Sequence, residues 1–151
     1  MSKLILVNMC ILHNPQTGCV LVQDKIHPVW GGISFPGGHV EPGETITASV
    51  VREMQEETGL TVENPRLCGV VRWNPPGRAQ KVLYLFSASC WQGTLLPGTR
   101  EGEVRWMNQQ ELKKQRLAPN MEVFLRLYQE ETLTEAYTEQ ENNAAEQFIF
   151  R

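Results

Sequence analysis

Three glutamates lie close together in the segment that follows a double-glycine motif. Residues 44–58 are rich in Glu, Arg, Met and Gln and contain no Gly or Pro, which predicts a helix that ends at Gly59. At about 100° per residue, Glu53, Glu56 and Glu57 share one helix face. Clustered carboxylate oxygens suit Mg²⁺ or Mn²⁺ better than zinc or copper. The spacing therefore predicts a divalent-cation site on this face.

The alternative interpretation of that face is a solvated charge stripe, which is the usual meaning of a charge run. Two features weigh against it. The helix carries no Lys to relieve the repulsion between the glutamates. It also follows the loop at Gly37 and Gly38, whose backbone carbonyls can approach whatever the carboxylates hold.

The same stretch resembles the box motif of the Nudix hydrolases, and the likeness continues on both sides of it. The lead-in at residues 30–38 and the later passage at residues 103–106 are similar to those of many members. The resemblance covers residues 3 to about 130. The box positions that match are Gly38, Glu44 and the run 52–60, which reads REMQEETGL.

This resemblance implies an α/β fold, namely a Nudix-type α/β/α sandwich with a mixed β-sheet between helices. It also implies hydrolysis of a nucleoside diphosphate linked to another moiety. In that reaction a divalent metal, Mg²⁺ or Mn²⁺, polarises phosphoryl oxygens and activates a water that attacks phosphorus in line. We expect a Nudix domain over residues 1–131 and an acidic tail over residues 132–151 that is either mobile or docked.

Roles for single residues also come from the resemblance. Arg52 would orient a ligating carboxylate, and Glu44 would help to hold the loop. The general base differs among members, so Glu53 and Glu103 are both candidates, and Glu101 is close enough in sequence to be confused with Glu103. The implied metal ligands are the carbonyl oxygen of Gly38 and the side chains of Glu53, Glu56 and Glu57.

Several features resemble the MutT-like branch, whose members hydrolyse oxidised purine nucleoside triphosphates, notably 8-oxo-dGTP, to the monophosphate and pyrophosphate. Asn120 offers the donor and the acceptor that a guanine-type edge requires, and a helix N-cap is the equally weighted alternative. Phe35 could stack on a base, although a core position is favoured. Arg72 is a candidate phosphate ligand, with a solvated hairpin charge as the alternative.

Two other functions stay open. ADP-ribose-cleaving members carry a proline about where Pro75 and Pro76 lie beyond the box, although a turn at residues 74–77 explains both prolines. The alternative from another class is a catalytically silent Nudix module that binds nucleotides as a sensor. Such modules usually lose a box carboxylate, and this chain retains all of them.

Length and composition narrow the choice of partners. The chain has 151 residues, so we expect one domain. Its formal net charge is −3, so we expect no duplex nucleic acid as a partner, because binding the phosphate backbone needs a basic protein face. The apolar runs fall far short of a membrane span, and the N-terminus lacks a signal-peptide pattern. Four cysteines without a CxxC pair indicate free thiols in a reducing cytoplasm. The expected partner is therefore a small nucleotide, and a homodimer is left open.

Hydrophobic patterning predicts the elements that must hold the acidic helix in place. Strands over residues 4–13 and 19–22 are expected to form a hairpin, because the residues between them are typical of a turn. The Gly- and Pro-rich residues 27–43 are expected to form an ordered loop or a short strand. Further strands are expected at residues 67–73, 82–91 and 104–107, and further helices at residues 109–115 and 120–131.

Overall fold

The computed structural model describes residues 3–74, 77–138 and 147–151. The strands within those ranges are β1 Leu4–Leu12, β2 Cys19–Lys25, β3 Gly32–Ser34, β4 Gly37–His39, β5 Leu60–Glu63, β6 Arg66–Trp73, β7 Gln80–Ala88, β8 Cys90–Gly93, β9 Gly98–Thr99, β10 Gly102–Asn108, β11 Glu135–Thr138 and β12 Phe148–Phe150. The helices are α1 Ile46–Thr58, α2 Gln109–Leu112 and α3 Met121–Gln129.

The described strands form a six-stranded sheet, a four-stranded sheet and a two-stranded ribbon. The large sheet has the order β12-β11-β6-β7-β1-β4, and β1 pairs parallel with β7 and antiparallel with β4. The four-stranded sheet has the order β3-β2-β10-β9, and the ribbon pairs β5 with β8. The large sheet is therefore mixed, as the resemblance implied.

Helices α1 and α3 cover opposite faces of the large sheet. Met9 of β1 belongs to an apolar cluster that contains Phe124 of α3, whereas the next residue, Cys10, belongs to a second cluster that contains Met54 of α1. Successive side chains of a strand point to opposite faces, so β1 divides the two clusters. The expected α/β/α sandwich is confirmed.

The acidic helix forms with defined ends. Thr45 is its N-cap, and the Thr45 hydroxyl accepts a hydrogen bond from Ala48 N at 3.0 Å. Gly59 ends it with a φ of +79°, a left-handed conformation that glycine adopts at little cost. The predicted helix over 44–58 therefore exists but begins at Ile46, because Thr45 is the cap and not part of the helix.

The predicted hairpin of the first two strands is wrong. β1 pairs with β7 and β4, whereas β2 pairs with β10 and β3, and among the described residues the two strands share a single isolated bridge between His13 and Val20. Both strands carry continuous apolar runs, which are typical of strands buried on both faces. Each strand therefore lies inside a different sheet, and the turn between them passes from one sheet to the other.

Other expected elements are present with shifted limits. The predicted strand over 82–91 is divided into β7 and β8, and the predicted helix over 109–115 ends at Leu112. The predicted turn over 74–77 includes Pro75 and Pro76, which lie outside the described residues. No helix in the described ranges is long and apolar enough to cross a membrane. All four cysteines are free.

The segment after residue 131 adds to the large sheet wherever it is described. β11 pairs parallel with β6, and β12 pairs antiparallel with β11. Ala136 of β11 is fully buried in the cluster that contains α3. Of the two alternatives for this tail, docking fits its described residues, and the domain limit at residue 131 stays a prediction.

Candidate active site

Two glycines bring the loop before α1 onto the helix. Gly37 N donates a hydrogen bond to Glu57 Oε2 at 3.1 Å, which ties β4 to the last turn of α1. A Cβ at Gly37 would overlap the carbonyl group of Asn8, and a Cβ at Gly38 would overlap the carboxylate of Glu53. The absence of a side chain at both positions therefore lets the loop lie against the carboxylates.

Arg52 connects this loop to the acidic face of α1. Its Nε and Nη2 donate to the two carboxylate oxygens of Glu44 at 3.1 and 2.7 Å, and Nη2 also donates to the carbonyl oxygen of His39 at 2.9 Å. Its Nη1 donates to Glu53 Oε1 at 2.9 Å and to Glu56 Oε2 at 3.2 Å. The hydrogen bonds from Arg52 lower the pKa of Glu44. One guanidinium therefore fixes the orientation of three box carboxylates, one of them in the loop.

A cavity of about 190 Å³ opens beside the carboxylates. Helix α1 supplies one wall, and the β9–β10 turn supplies the other. Its lining residues are Glu53, Glu56, Glu57, Thr99, Arg100 and Glu101. The structure thus brings together the three glutamates that the helix periodicity placed on one face.

Glu57 is the most unusual of these carboxylates. It is 4% exposed, and its Oε1 has no hydrogen-bond partner. Burial, followed by the neighbouring Glu101 carboxyl, raises its pKa well above the ordinary value. Burial also raises the pKa of Glu53, although Arg52 opposes that effect. The cavity therefore concentrates negative charge that a cation would stabilise.

The charge of Lys25, at the end of β2, also acts on this cavity. The register partner of Lys25 is Gly102, next to Glu101 in the cavity wall, and the lysine charge opposes part of the rise in the pKa of Glu57 that burial causes. The backbone beside it contacts the same wall, because Ile26 N donates to the carbonyl oxygen of Glu101 at 3.0 Å. No sequence signal identifies Lys25 as a site residue, because a lysine at a strand end is not specific to any one function.

A hard divalent cation fits the chemistry of this cavity. Carboxylate oxygens predominate in its walls, and the buried Glu57 Oε1 needs a partner. Gly38, the implied backbone ligand, lies against the Glu53 carboxylate. Across the described ranges, however, no three His, Cys, Asp or Glu side chains already converge on one point. Arg52 instead holds Glu53 and Glu56, so binding would require their carboxylates to turn.

Glu103 does not line the cavity, and Glu101 does. The Glu103 side chain is 79% exposed and pairs with Arg105 at 3.8 Å. Gly102, between the two glutamates, has a φ of +145° and packs its Cα against the backbone of β2, which leaves no room for a Cβ. Glu101 precedes this glycine in the turn and lines the cavity, whereas Glu103 follows it in β10. Spacing alone could not separate the two glutamates.

The predicted substrate residues lie in three different settings. Phe35 is 1% exposed and packs edge-on against Tyr128, so the structure contradicts its assignment as a base-stacking residue and supports the core alternative. Arg72 is paired with Glu135 of β11 at 3.6 Å and lies over the ring of Tyr137. Arg72 is therefore engaged by the sheet and does not line the cavity.

Asn120 precedes α3 in a left-handed conformation with a φ of +68°. Its side chain makes no capping hydrogen bond, so the N-cap alternative accounts for its position but not for its amide. It is partly exposed and is not among the cavity residues. Its role in reading a base stays a prediction.

Comparison with known proteins identifies the family. The model of the NUDIX domain matches residues 4–128. The chain belongs to the Nudix family of pyrophosphohydrolases. The class of enzyme expected from the box is thereby confirmed.

Individual Nudix proteins agree with this assignment. The chain is 31% identical over 112 residues to the uncharacterized Nudix hydrolase YvcI of Bacillus subtilis, which covers 68% of this chain and 71% of that protein. It is 36% identical over 77 residues to the 8-oxo-dGTP diphosphatase of Escherichia coli. That alignment covers 50% of this chain and 57% of the relative. The second match thus spans less than two thirds of the relative.

The fold agrees with that of a solved structure. A crystal structure of a MutT protein from Bacillus halodurans superposes with a TM-score of 0.79 at 26% identity and covers 97% of each chain. The superposition extends beyond residue 128, where the family model ends. The Nudix fold with MutT-like architecture is therefore confirmed.

Proposed function

We propose that this Nudix hydrolase is a divalent-metal-dependent nucleoside triphosphate pyrophosphohydrolase. Its preferred substrates are oxidised purine nucleotides such as 8-oxo-dGTP, which it cleaves to the monophosphate and pyrophosphate. The observation that carries the proposal is the cavity in which Glu53, Glu57 and Glu101 face one another beside the Gly37–Gly38 loop. The relative named 8-oxo-dGTP diphosphatase supports the choice of substrate.

The box residues would hold Mg²⁺, with Mn²⁺ as a substitute. The ligands would come from the carboxylates of Glu53, Glu56 and Glu57 and from the Gly38 carbonyl oxygen. When bound, the cation polarises phosphoryl oxygens and makes a water more acidic. Arg52 holds Glu53 and Glu56 at the cavity, from which their carboxylates would turn towards the cation, and its hydrogen bonds to Glu44 connect the loop to α1.

Proton removal from the attacking water needs a carboxylate in the cavity wall. Glu101 meets this requirement, and Glu53 is the second candidate, because both line the cavity. Glu103 is turned away into solvent. We therefore assign the general-base role to Glu101 or Glu53 and withdraw it from Glu103.

The partner of this enzyme is a small nucleotide in the cytoplasm. The net charge of −3 disfavours a phosphate polymer, and the free thiols fit a reducing compartment. Asn120 is the residue that would distinguish an oxopurine edge, because its amide is free of capping contacts.

A product-identified substrate comparison tests the proposal. The protein is incubated with Mg²⁺ and equal concentrations of 8-oxo-dGTP, dGTP or ADP-ribose, and each product is identified by chromatography. The proposal expects pyrophosphate release, with the highest kcat/KM for 8-oxo-dGTP. A higher kcat/KM for ADP-ribose would favour the diphosphate-linked alternative. Absence of turnover on all three, in a protein that binds them, would favour the sensor alternative.

A further inference from the structure

An exposed apolar loop lies next to the cavity and has no part in the core. It connects β2 to β3, and three of its side chains expose large apolar surfaces: Ile26 at 75%, Val29 at 65% and Trp30 at 45%. Exposed apolar groups in one short loop are a common sign of a binding surface. The hydrogen bond from Ile26 N to the Glu101 carbonyl oxygen, at 3.0 Å, joins this loop directly to the cavity wall.

The loop holds its conformation through its own polar groups. His27 Nδ1 accepts hydrogen bonds from the backbone N–H groups of Val29 and Trp30 at 3.0 and 2.9 Å. Gly31 packs so closely that a Cβ would lie 2.7 Å from the carbonyl oxygen of His27. The backbone that carries Trp30 is therefore fixed before any ligand arrives, which lowers the entropic cost of binding.

A lysine faces the ring of Trp30. Lys81 Nζ, from β7, lies 5.4 Å from the ring centroid, within cation–π range. Lys81 is half-buried, and its pKa is lowered by burial and then by the charge of Lys25. This contact orients the indole, while the exposed 45% of Trp30 leaves surface for a planar group to stack on it.

Two ammonium groups lie between the cavity wall and the indole ring. Lys25 is the register partner of Gly102, next to Glu101 in the cavity wall, and of Gly32, at the far end of the Trp30 loop. Lys81 contacts the Trp30 ring itself. The site therefore combines carboxylates, ammonium groups and an aromatic ring. A metal-bound nucleoside phosphate presents the complementary order of metal, further phosphate and base.

We propose that Trp30 is a stacking platform for the nucleobase of the substrate, with Lys25 and Lys81 facing its phosphates. The inference rests on the proposed function, because it places the phosphates at the box carboxylates. It names a specificity element that lies outside the Nudix box. Stacking on an aromatic ring tolerates many bases, so the platform supplies affinity for nucleosides in general.

Equilibrium binding tests the platform without depending on turnover. The probes are the α,β-methylene analogue of dGTP, which resists cleavage between these phosphates, and inorganic tripolyphosphate, which lacks a base. Both are titrated calorimetrically in Mg²⁺ buffer into the wild type, Trp30→Ala, Trp30→Phe and a control, Leu67→Ala. Leu67 is also exposed, at 55%, but does not line the cavity.

We expect Trp30→Ala to raise the Kd of the nucleotide analogue roughly tenfold, as loss of a base–aromatic stack does. Trp30→Phe retains most of the affinity, and Leu67→Ala changes nothing. Tripolyphosphate binds all four proteins equally. An unchanged Kd for the analogue in Trp30→Ala, or an equal loss of tripolyphosphate affinity, overturns the platform.

The outcome for the platform is separable from that for the proposed function. A wild type that binds the analogue through Trp30 but releases no pyrophosphate from any nucleotide overturns the proposed function and supports the platform. If the wild type hydrolyses 8-oxo-dGTP but the Kd of the analogue is the same in the wild type and in Trp30→Ala, only the platform is overturned.

Discussion

Arg52 donates two parallel hydrogen bonds to the Glu44 carboxylate, from Nη2 to Oε1 at 2.7 Å and from Nε to Oε2 at 3.1 Å. Glu44 Oε1 also accepts a hydrogen bond from Glu41 N at 2.8 Å. The pair therefore connects the loop before α1 to the middle of that helix. A two-pronged contact of this kind needs the planar guanidinium, because a lysine ammonium is a single point charge.

Arg52→Lys is predicted to lower kcat roughly 10- to 100-fold, in the range seen when a group that orients a metal ligand is lost. The lysine keeps the charge but cannot hold Glu44, Glu53 and Glu56 together. Glu44→Gln should give a smaller loss in the same direction. Steady-state measurement of kcat in saturating Mg²⁺ checks both predictions. A double variant with the same kcat as Arg52→Lys would show that Arg52 and Glu44 act through one contact. Independent, additive losses would contradict it.

Glu57→Gln is predicted to abolish turnover while stabilising the metal-free fold at alkaline pH. The raised pKa of Glu57 means that the folded protein favours its protonated form. Its contribution to stability is fully present below its ordinary pKa of about 4.5 and is lost as the pH rises through its folded pKa. The neutral amide has no such loss.

Denaturant titrations in EDTA check this prediction. The free energy of unfolding of Glu57→Gln should exceed that of the wild type at pH 8, and the difference should shrink towards pH 4. Added Mg²⁺ should stabilise the wild type more than the variant, because at a given concentration a ligand that binds only the folded state stabilises it more when it binds more tightly. A variant less stable than the wild type at pH 8 would contradict the prediction, because it would show that the hydrogen bond from Gly37 N outweighs the cost of burying the ionised carboxylate.

Glu101→Gln and Glu103→Gln form a matched pair. Both replace a carboxylate by an amide of the same shape, at positions two residues apart, Glu101 in the β9–β10 turn and Glu103 at the start of β10. Glu101 lines the cavity, so its substitution should lower kcat about 100-fold, as loss of a general base typically does. Glu103→Gln should stay within about twofold of the wild type, because its side chain is exposed. The kcat of both variants is measured in parallel with 8-oxo-dGTP as substrate. A larger loss of kcat in Glu103→Gln than in Glu101→Gln would assign the general-base role to Glu103.

The local pattern predicted the acidic helix because all its signals agree. Three features indicate a helix here: residues with high helix propensity, a glycine at the end, and the separation of an apolar face from an acidic face. Thr45 and Gly59 cap this helix. The clustering of Glu53, Glu56 and Glu57 follows from helix geometry alone. This part of the site could therefore be predicted from spacing.

Contacts between residues that are distant in sequence could not be predicted from local spacing. The pairing of β1 with β7 depends on which strands share a sheet, and apolar runs do not specify that. The choice of Glu101 over Glu103 depends on where the β9–β10 turn ends, and the contact between Trp30 and Lys81 joins the β2–β3 loop to β7. Phe35 had two interpretations, and packing against Tyr128 decided between them.

Asn120→Gly isolates the amide that is assigned to base recognition. Asn120 has a φ of +68°, which glycine adopts without strain, and it makes no capping hydrogen bond. The thermal midpoint should therefore change little. If the amide reads the purine edge, its loss leaves the base without a hydrogen-bond partner, and kcat/KM for 8-oxo-dGTP should fall about tenfold or more.

The decisive measurement is the ratio of kcat/KM for 8-oxo-dGTP to that for dGTP, in the wild type and in Asn120→Gly. A residue that distinguishes the two edges makes this ratio fall on substitution. Asn120→Asp is the informative companion, because it keeps the acceptor but exchanges the amide donor for a carboxylate that repels phosphate. An equal fall for both nucleotides would assign Asn120 to general binding, and no fall at all would leave it as a backbone residue of the α3 start.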